Sequence, residues 1–424
     1  MCKYTNNFSI TSINGNKPGI SRTSHHTALT YDYQKGPWAL TAGIDYDASK
    51  YMEYHFLGDS AIVFPAPFYD KDKFEQVNDV ERCYQYRGWS SSNLMASLRG
   101  SWSYTIANSH QGTITLGLQS AKFTFSDYQD YWGVYYSRIV ESTSDWRNQD
   151  QHEKNFSSFL QVKHRWSSLI ANVGVRYDHV ERRTGKTNNE LSPRMALIFM
   201  QPRWGGKLCY STSFVDRAFK HRSFAESEVE LESALPEYSR CWQLTFWGKQ
   251  LLKGLNAEVN AYHSTAKNMI DRLGEGSQGM MRSIGMEISA DYTFGKLRCM
   301  GSTSWMHILE HKAYLDALED EPVLGDPKFS ANATVSYQLL PTLQFHANAH
   351  YIGKRCLKVF SELDTEAPAV ILFDFGSSWS WRNLGVNVNI QNLLGKEYRQ
   401  SGNAINYNLP QQGRWFLVEL TYKI

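Results

Sequence analysis

Few residues of this chain stand where types and spacing would permit chemistry. Gly185–Lys186–Thr187 ends like a phosphate-binding loop, but such a loop needs a glycine five positions earlier, where Val180 stands. His307 and His311 bracket the segment HILEH, which lacks the HExxH order of a zinc protease. His346 and His350 fall on the polar face of one expected strand and read as hydrated wall residues. The same reading applies to His25, His26 and His221. Six cysteines (Cys2, Cys83, Cys209, Cys241, Cys299, Cys356) are scattered without a CxxC pair, so they outline neither a metal site nor a disulfide framework. Cys209 and Cys241 are candidates for neighbouring strands. No catalytic constellation, metal site or cofactor is expected.

Binding is the better candidate. Two segments expected to be loops are dense in aromatics, VFPAPFY (Val63–Tyr69) and YWGVYY (Tyr131–Tyr136). From them Phe64, Phe68, Tyr69, Tyr131, Trp132, Tyr135 and Tyr136 are candidate ligand contacts. Rigid rings give large contact area at little entropic cost and stack on flat ligands. A third loop carries Asp216, Arg217, Lys220, His221 and Arg222. Arg217, His221 and Arg222 are the candidates there for an anionic group, and the alternative is pairing among themselves or with surface lipopolysaccharide.

The elements that carry these loops are written in the period of the chain. Leu384, Val386, Val388 and Ile390 alternate with Gly385, Asn387, Asn389 and Gln391. Phe416, Val418, Leu420, Tyr422 and Ile424 alternate with Leu417, Glu419, Thr421 and Lys423. The rule repeats at Leu40–Tyr46, Ile114–Leu118, Leu169–Asp178, Leu255–Tyr262, Met286–Phe294, Phe329–Tyr337, Leu343–Tyr351 and Ile371–Trp381. A period of two means strands with one apolar and one polar face. About seventeen strands are expected, with a partial eighteenth near Phe8–Ile13. Tight connections (Lys35–Pro37, Ser167–Ser168, Gly295, Leu340–Pro341, Trp381–Asn383) alternate with long ones (Leu57–Trp89, Gln129–Glu153, Val215–Glu237, His311–Asp326, Arg399–Gln412). Short turns on one side and long loops on the other are the habit of a transmembrane β-barrel. Tyr292, Phe294, Tyr337, Trp379 and Tyr422 near the turns, with Tyr46, Tyr177 and Tyr351 near the loops, suit two interfacial girdles.

Composition agrees. The 424 residues carry a net charge of +2, which gives no argument for nucleic acid, and 14% are aromatic. Mean hydropathy is −0.48 and no run approaches the roughly 18 apolar residues of a membrane helix. No linker or low-complexity tract divides residues 1–424, so one all-β, antiparallel domain is expected. The opening MCKYTNNFSI shows no apolar signal segment, although an outer-membrane barrel needs one for export.

The closing segments NIQNLLGKEYR (Asn389–Arg399) and LPQQGRWFLVELTYKI (Leu409–Ile424) resemble the C-terminal end of TonB-dependent outer-membrane receptors. VGVRYDH (Val173–His179), LSPRMALIF (Leu191–Phe199), CYSTSFVDRAF (Cys209–Phe219) and RSIGMEISADYTF (Arg282–Phe294) are similar to internal strands of that family. The resemblance implies the C-terminal part of a twenty-two-strand barrel, without a recognisable plug. It also implies uptake of a scarce nutrient, with iron chelates, haem or cobalamin ahead of glycans. Expected partners are outer-membrane lipid and lipopolysaccharide, the nutrient itself, and the TonB complex where a plug with a TonB box exists. The alternatives are a passive porin, a soluble β-rich binding protein and a remnant of a split receptor gene.

Overall fold

The computed structural model describes residues 19–58, 83–107, 110–134, 138–142, 151–182, 187–216, 235–269, 279–312, 327–356, 366–400 and 409–423; within these, nothing is said of the side chains of 54–58, 83–87, 129–134, 138–142 and 151. The expected partial strand near Phe8–Ile13 lies outside them. Every regular element among the described residues is a strand. The first are β1 (Gly19–Lys35), β2 (Trp38–Gly58), β3 (Cys83–Ala107), β4 (His110–Val134), β5 (Arg138–Ser142), β6 (Gln151–Trp166), β7 (Leu169–Glu181) and β8 (Thr187–Met200). Then come β9 (Trp204–Val215), β10 (Glu237–Gly248), β11 (Leu255–Met269), β12 (Gly279–Phe294), β13 (Leu297–Lys312), β14 (Phe329–Leu340) and β15 (Leu343–Ile352). The remainder are β16 (Arg355–Cys356), β17 (Glu366–Ala367), β18 (Val370–Trp381), β19 (Leu384–Gln391), β20 (Arg399–Gln400), β21 (Leu409–Pro410) and β22 (Trp415–Tyr422).

Eighteen of these strands belong to one sheet. Its backbone is an up-and-down order in which seventeen long strands each pair with their neighbours in sequence, and β5 pairs with the loop-side end of β4. Two small hairpins, β16–β17 and β20–β21, stand apart on the loop side. The seventeen-strand expectation agrees with this count.

The chain divides into two compact units: Met1–Tyr104, Thr113–Gln161 and Val175–Leu191 in one, Thr105–Gly112, Val162–Gly174 and Ser192–Ile424 in the other. In the first, the registers Thr27↔Tyr46↔Leu94 and Tyr31↔Ala42↔Leu98 place the apolar positions of three strands on one face. In the second, the row Val335↔Ala347↔Phe375↔Ile390↔Phe416 runs across five strands. These faces are uncovered. Leu29 is 72% exposed, Leu116 54% and Val418 61%, whereas the buried apolar residues are few. A broad, exposed apolar face repeated along the long strands is what hydrocarbon contact requires and what water would punish.

The turns are local chemistry. Gly36 and Gly295 sit at φ +56 and +57 in two-residue hairpin turns, where the left-handed backbone suits glycine. Ser167 and Arg382 hold the same conformation in the β6–β7 and β18–β19 turns. Aromatic pairs crown the apolar face on the turn side: Trp38–Trp102 at 6.1 Å, Phe199–Trp204 at 5.3 Å and Trp379–Trp381 at 6.3 Å. Phe329–Tyr351 at 5.7 Å and Tyr210–Trp242 at 4.6 Å do so on the loop side.

Strand length departs from the expectation. β3 and β4 have 25 residues each, about 80 Å of extended chain. An apolar band of about 25 Å needs far less. The ladder β2–β3 continues to Gly58↔Cys83, well past the Leu57–Trp89 loop read from sequence, because backbone pairing outlasts the hydrophobic alternation.

Candidate ligand-binding surface

Aromatic residues gather where the long strands of the first unit pass the loop-side girdle. On β2, Tyr46 shares the apolar face, and Tyr51, five residues further, has the opposite parity. Its register partner is Trp89, and their rings stack at 4.1 Å. Trp89 stacks in turn on Phe125 of β4 at 6.3 Å, and Phe125 meets Tyr128 at 5.7 Å. Asp127 lies between them at φ +54, a local bulge that lets residues three apart meet ring to ring. Four aromatic rings thus cover the polar face of three adjacent strands. Phe125 is buried, and Tyr51, Trp89 and Tyr128 keep part of their surface open. The cluster stands about 17 Å along the strand beyond Tyr46, on the face opposite hydrocarbon. Lipid contact therefore does not explain it.

Below the rings, the same face changes to hydrogen bonds. Asp178, 2% exposed, accepts two bonds from Arg176 Nε at 2.9 and 3.0 Å and one from the Ser157 hydroxyl. Arg176 Nη2 also donates to Ser157 Oγ (2.8 Å) and Gln119 Oε1 (3.3 Å), and Gln119 Nε2 donates to Met95 Sδ. The network joins β3, β4, β6 and β7. Arg176 and Asp178 form an ion pair at 2.9 Å within it, so the network braces the wall.

The second unit has a different polar face. His350 contacts Asn332 Oδ1 at 2.6 Å and Asp374 Oδ2 at 3.3 Å, and His346 contacts Asn389 Oδ1 at 3.0 Å. His346 and His350 are thus on the polar face and satisfied by a neighbour, whereas His25, expected to be a wall residue too, stands opposite Ala48 on the apolar face of β1–β2, and His221 lies outside the described residues. His26 pairs with Asp47 at 2.6 Å, and His307 stacks on Trp305 at 6.2 Å. Cys209 and Cys241 lie on paired strands, opposite Gln243 and Ser211, as free thiols. Nearer the turns, a cavity of about 450 Å³ opens on β10–β14, bordered by Trp247, Glu258, Asp291 and Asn332. On the loop side, Arg355 is 5% exposed and donates to the carbonyls of Gly353 (3.2 Å) and Arg399 (2.6 Å). Burial lowers its pKa from the ordinary arginine value.

The residues singled out from sequence fall elsewhere. Phe64, Phe68, Tyr69, Tyr135, Tyr136, Arg217, His221 and Arg222 lie outside the described residues. Tyr131 and Trp132 pair through their backbones with Ser142 and Glu141, and their side chains lie outside the description. The structure thus brings together Tyr51, Trp89, Phe125 and Tyr128, which sequence reasoning missed. The available signal for Tyr51, Trp89 and Phe125 was parity, since each is a large ring on the polar side of its strand's alternation; Tyr128 has the parity of Leu116 and Leu118 and meets Phe125 only past the positive φ of Asp127.

Comparison with known proteins follows the same lines. A family model described as TonB dependent receptor-like, beta-barrel, matches residues 3–393. A search of curated proteins finds no match. Among solved structures, the chain is similar to the ferric-catecholate import receptor Fiu from K12 E. coli, with 13% identity, a TM-score of 0.67, 97% of this chain and 66% of that one. It is also similar to the ferric citrate transporter FecA, with 15% identity, a TM-score of 0.71, 94% of this chain and 61% of that one. The siderophore receptor PirA from Acinetobacter baumannii shows 12% identity and a TM-score of 0.71, over 96% of this chain and 63% of that one. The chain spans a little under two thirds of the length of these receptors.

Proposed function

The chain belongs to the TonB-dependent receptor β-barrel family, and on that premise we propose that it forms the ligand-capturing wall of an outer-membrane receptor for a ring-bearing iron chelate or tetrapyrrole. The observation that carries this reading is the Tyr51–Trp89–Phe125–Tyr128 cluster, set on the polar face in the aqueous reach of β2–β4. Stacked rings select flat, polarisable ligands over aliphatic ones. Fiu, FecA and PirA, whose names attach them to ferric catecholate, ferric citrate and siderophores, support an iron chelate, and of these Fiu alone is named for a ring-bearing one. The aromatic segments 63–69 and 131–136, the second of which begins as the end of β4, are proposed to add contacts to the site together with Arg217, His221 and Arg222.

The test is direct binding. The purified chain, folded in detergent and checked by heat-modifiable gel mobility, is titrated with a ferric tris-catecholate, ferric citrate, haem, cobalamin and a malto-oligosaccharide. The reading expects saturable binding of at least one ring-bearing ligand, tighter than that of ferric citrate. Preference for the oligosaccharide, or no binding by any of the five, overturns it.

A further inference from the structure

The register of β9 and β10 brings two thiols to one face. Cys209 stands opposite Gln243 and Cys241 opposite Ser211, so the cysteines are diagonal neighbours, one strand apart and two residues out of step. Leu208, Tyr210, Trp242 and Leu244 hold the apolar face of these strands, which places both thiols on the polar face with Ser211, Gln243 and Ser264. Both are half-buried and free. Each would feel the other's charge as a thiolate. The other described cysteines on regular strands stand apart: Cys299 has the apolar parity of Trp305, and Cys356 is buried in the β16–β17 hairpin.

The spacing decides what the pair can do. Diagonal neighbours in an antiparallel ladder have Cα atoms about 7–8 Å apart, with Cβ atoms somewhat closer. A disulfide draws its Cβ atoms to about 3.8 Å, and Cα atoms more than about 7 Å apart are not bridged without moving the backbone. A metal ion inserted between the sulfurs adds two bonds of about 2.3 Å, so the sulfurs rest about 4.6 Å apart and the ladder keeps its register. Among the described residues no three His, Cys, Asp or Glu side chains are grouped to hold a metal, so a tetrahedral zinc site has too few ligands. A two-coordinate ion needs only the two thiolates, and soft sulfur selects a cuprous ion over harder ones. Two thiolates on a monovalent ion leave one negative charge. Arg194, opposite Ser211 on β8, and Lys207, two residues before Cys209 on the same face, supply positive charge beside it.

We propose that Cys209 and Cys241 form a two-coordinate site for a soft monovalent cation, a cuprous ion, on the polar face of β9–β10. Binding converts the ion and two thiols into a bis-thiolate anion and two protons released to water, with no change of oxidation state. The Cys241 thiol donates to the Trp242 carbonyl at 3.7 Å, a contact that ends when its proton leaves. The bound ion ties β9 to β10 close to the Val215↔Glu237 pair from which the connecting loop departs. The site does not depend on the ligand assigned to the aromatic cluster.

The probes are Cu(I), kept reduced under anaerobic conditions, and redox-inert Ag(I), with Zn(II) as the comparison arm. The full chain, folded in detergent with its thiols reduced, is titrated with Cu(I) against a chromogenic Cu(I) chelator. Cysteines shielded by bound Cu(I) or Ag(I) are identified by alkylation and peptide mass spectrometry. Cys209 and Cys241 are expected to be shielded together, by one ion. Loss of a residue that merely orients a metal ligand costs about 10–100-fold in affinity, so Cys209→Ser and Cys241→Ser should each cost about 100-fold or more. Arg194→Gln should weaken binding about tenfold, and Cys299→Ser should leave it unchanged. Where a serine variant fails the gel-mobility check, shielding in the wild-type chain reads the same site. Affinity that survives both serine substitutions overturns the proposal, as does shielding of either cysteine without the other. Zn(II) bound as tightly as Cu(I) overturns it too, by revealing further ligands. So does a Cys209–Cys241 disulfide in the chain isolated without reductant, by showing that the ladder yields to the shorter bridge.

Discussion

Trp89→Ala is the most informative single change in the candidate ligand surface. Trp89 holds the middle of the ring cluster, 4.1 Å from Tyr51 and 6.3 Å from Phe125. Each aromatic pair contributes about 0.5–1.5 kcal/mol beyond area burial, so the two pairs lost cost about 1–3 kcal/mol locally. The ladder around it is long: Tyr51↔Trp89 is one of many pairs along β2–β3, so the strand itself should persist. A ligand ring that stacks on this indole loses a further pair of the same size, about a twofold to thirteenfold rise in Kd. Trp89→Phe keeps a ring in place and should retain most of the affinity. Fluorescence or calorimetric titration of the folded variants with ring-bearing and aliphatic ferric chelates measures this. The ring-bearing ligand should weaken and ferric citrate should not. Equal weakening of both, or an unchanged Kd for both with normal gel mobility, would refute the assignment of the cluster to ligand contact.

Further predictions concern the frame. Asp178→Asn leaves the Arg176 guanidinium, one third exposed, without its counter-charge, and should cost about 1–3 kcal/mol in urea unfolding in detergent. Arg176→Met/Asp178→Asn together should cost less than the two singles summed. Gly254→Ala places a Cβ 2.0 Å from the Thr293 carbonyl oxygen at φ +87 and should cost more than about 2 kcal/mol, whereas Gly36→Ala, at φ +56 with open space around it, should cost about 1 kcal/mol. Arg355→Met removes the donors that tie Gly353 to Arg399, and should raise limited proteolysis near both hairpins without moving the global unfolding midpoint.

Alternation exposed the architecture because a strand between hydrocarbon and water must repeat every two residues, and the registers align those positions into continuous rows. The tight turns were legible from Gly36 and Gly295, whose left-handed backbone is a local property. Other features escaped for equally physical reasons. The β2–β3 ladder runs through the stretch YQYRGWSSS, where neither face meets lipid and no period is imposed. Cys209 and Cys241 could be placed on neighbouring strands, but their offset depends on the β9–β10 register, which the long Val215–Glu237 connection leaves unread. Asp178 was visible as a polar-face acid, but its burial depends on Arg176, Ser157 and Gln119 arriving from three strands.

The two aromatic populations of the chain answer to different surroundings, and position along the strand separates them. Trp38 and Tyr46 lie eight residues apart on the apolar face of β2, about 27 Å along the chain, which brackets an apolar band once strand tilt is allowed for. Tyr51 lies past that bracket and faces the other way. A ring at an interface gains from having one end dry and one wet. Rings on the polar face beyond the bracket have water as the alternative to each other, which accounts for the packing of Phe125 beneath Trp89 and Tyr128. It does not account for the partly open surface of Tyr51, Trp89 and Tyr128. The open face of Trp89, held between the stacked rings of Tyr51 and Phe125 about 17 Å beyond the girdle, is placed before any ligand arrives. A flat ligand docking there has little side-chain entropy left to overcome, and the same preorganisation makes the Trp89 substitution a test of capture more than of folding.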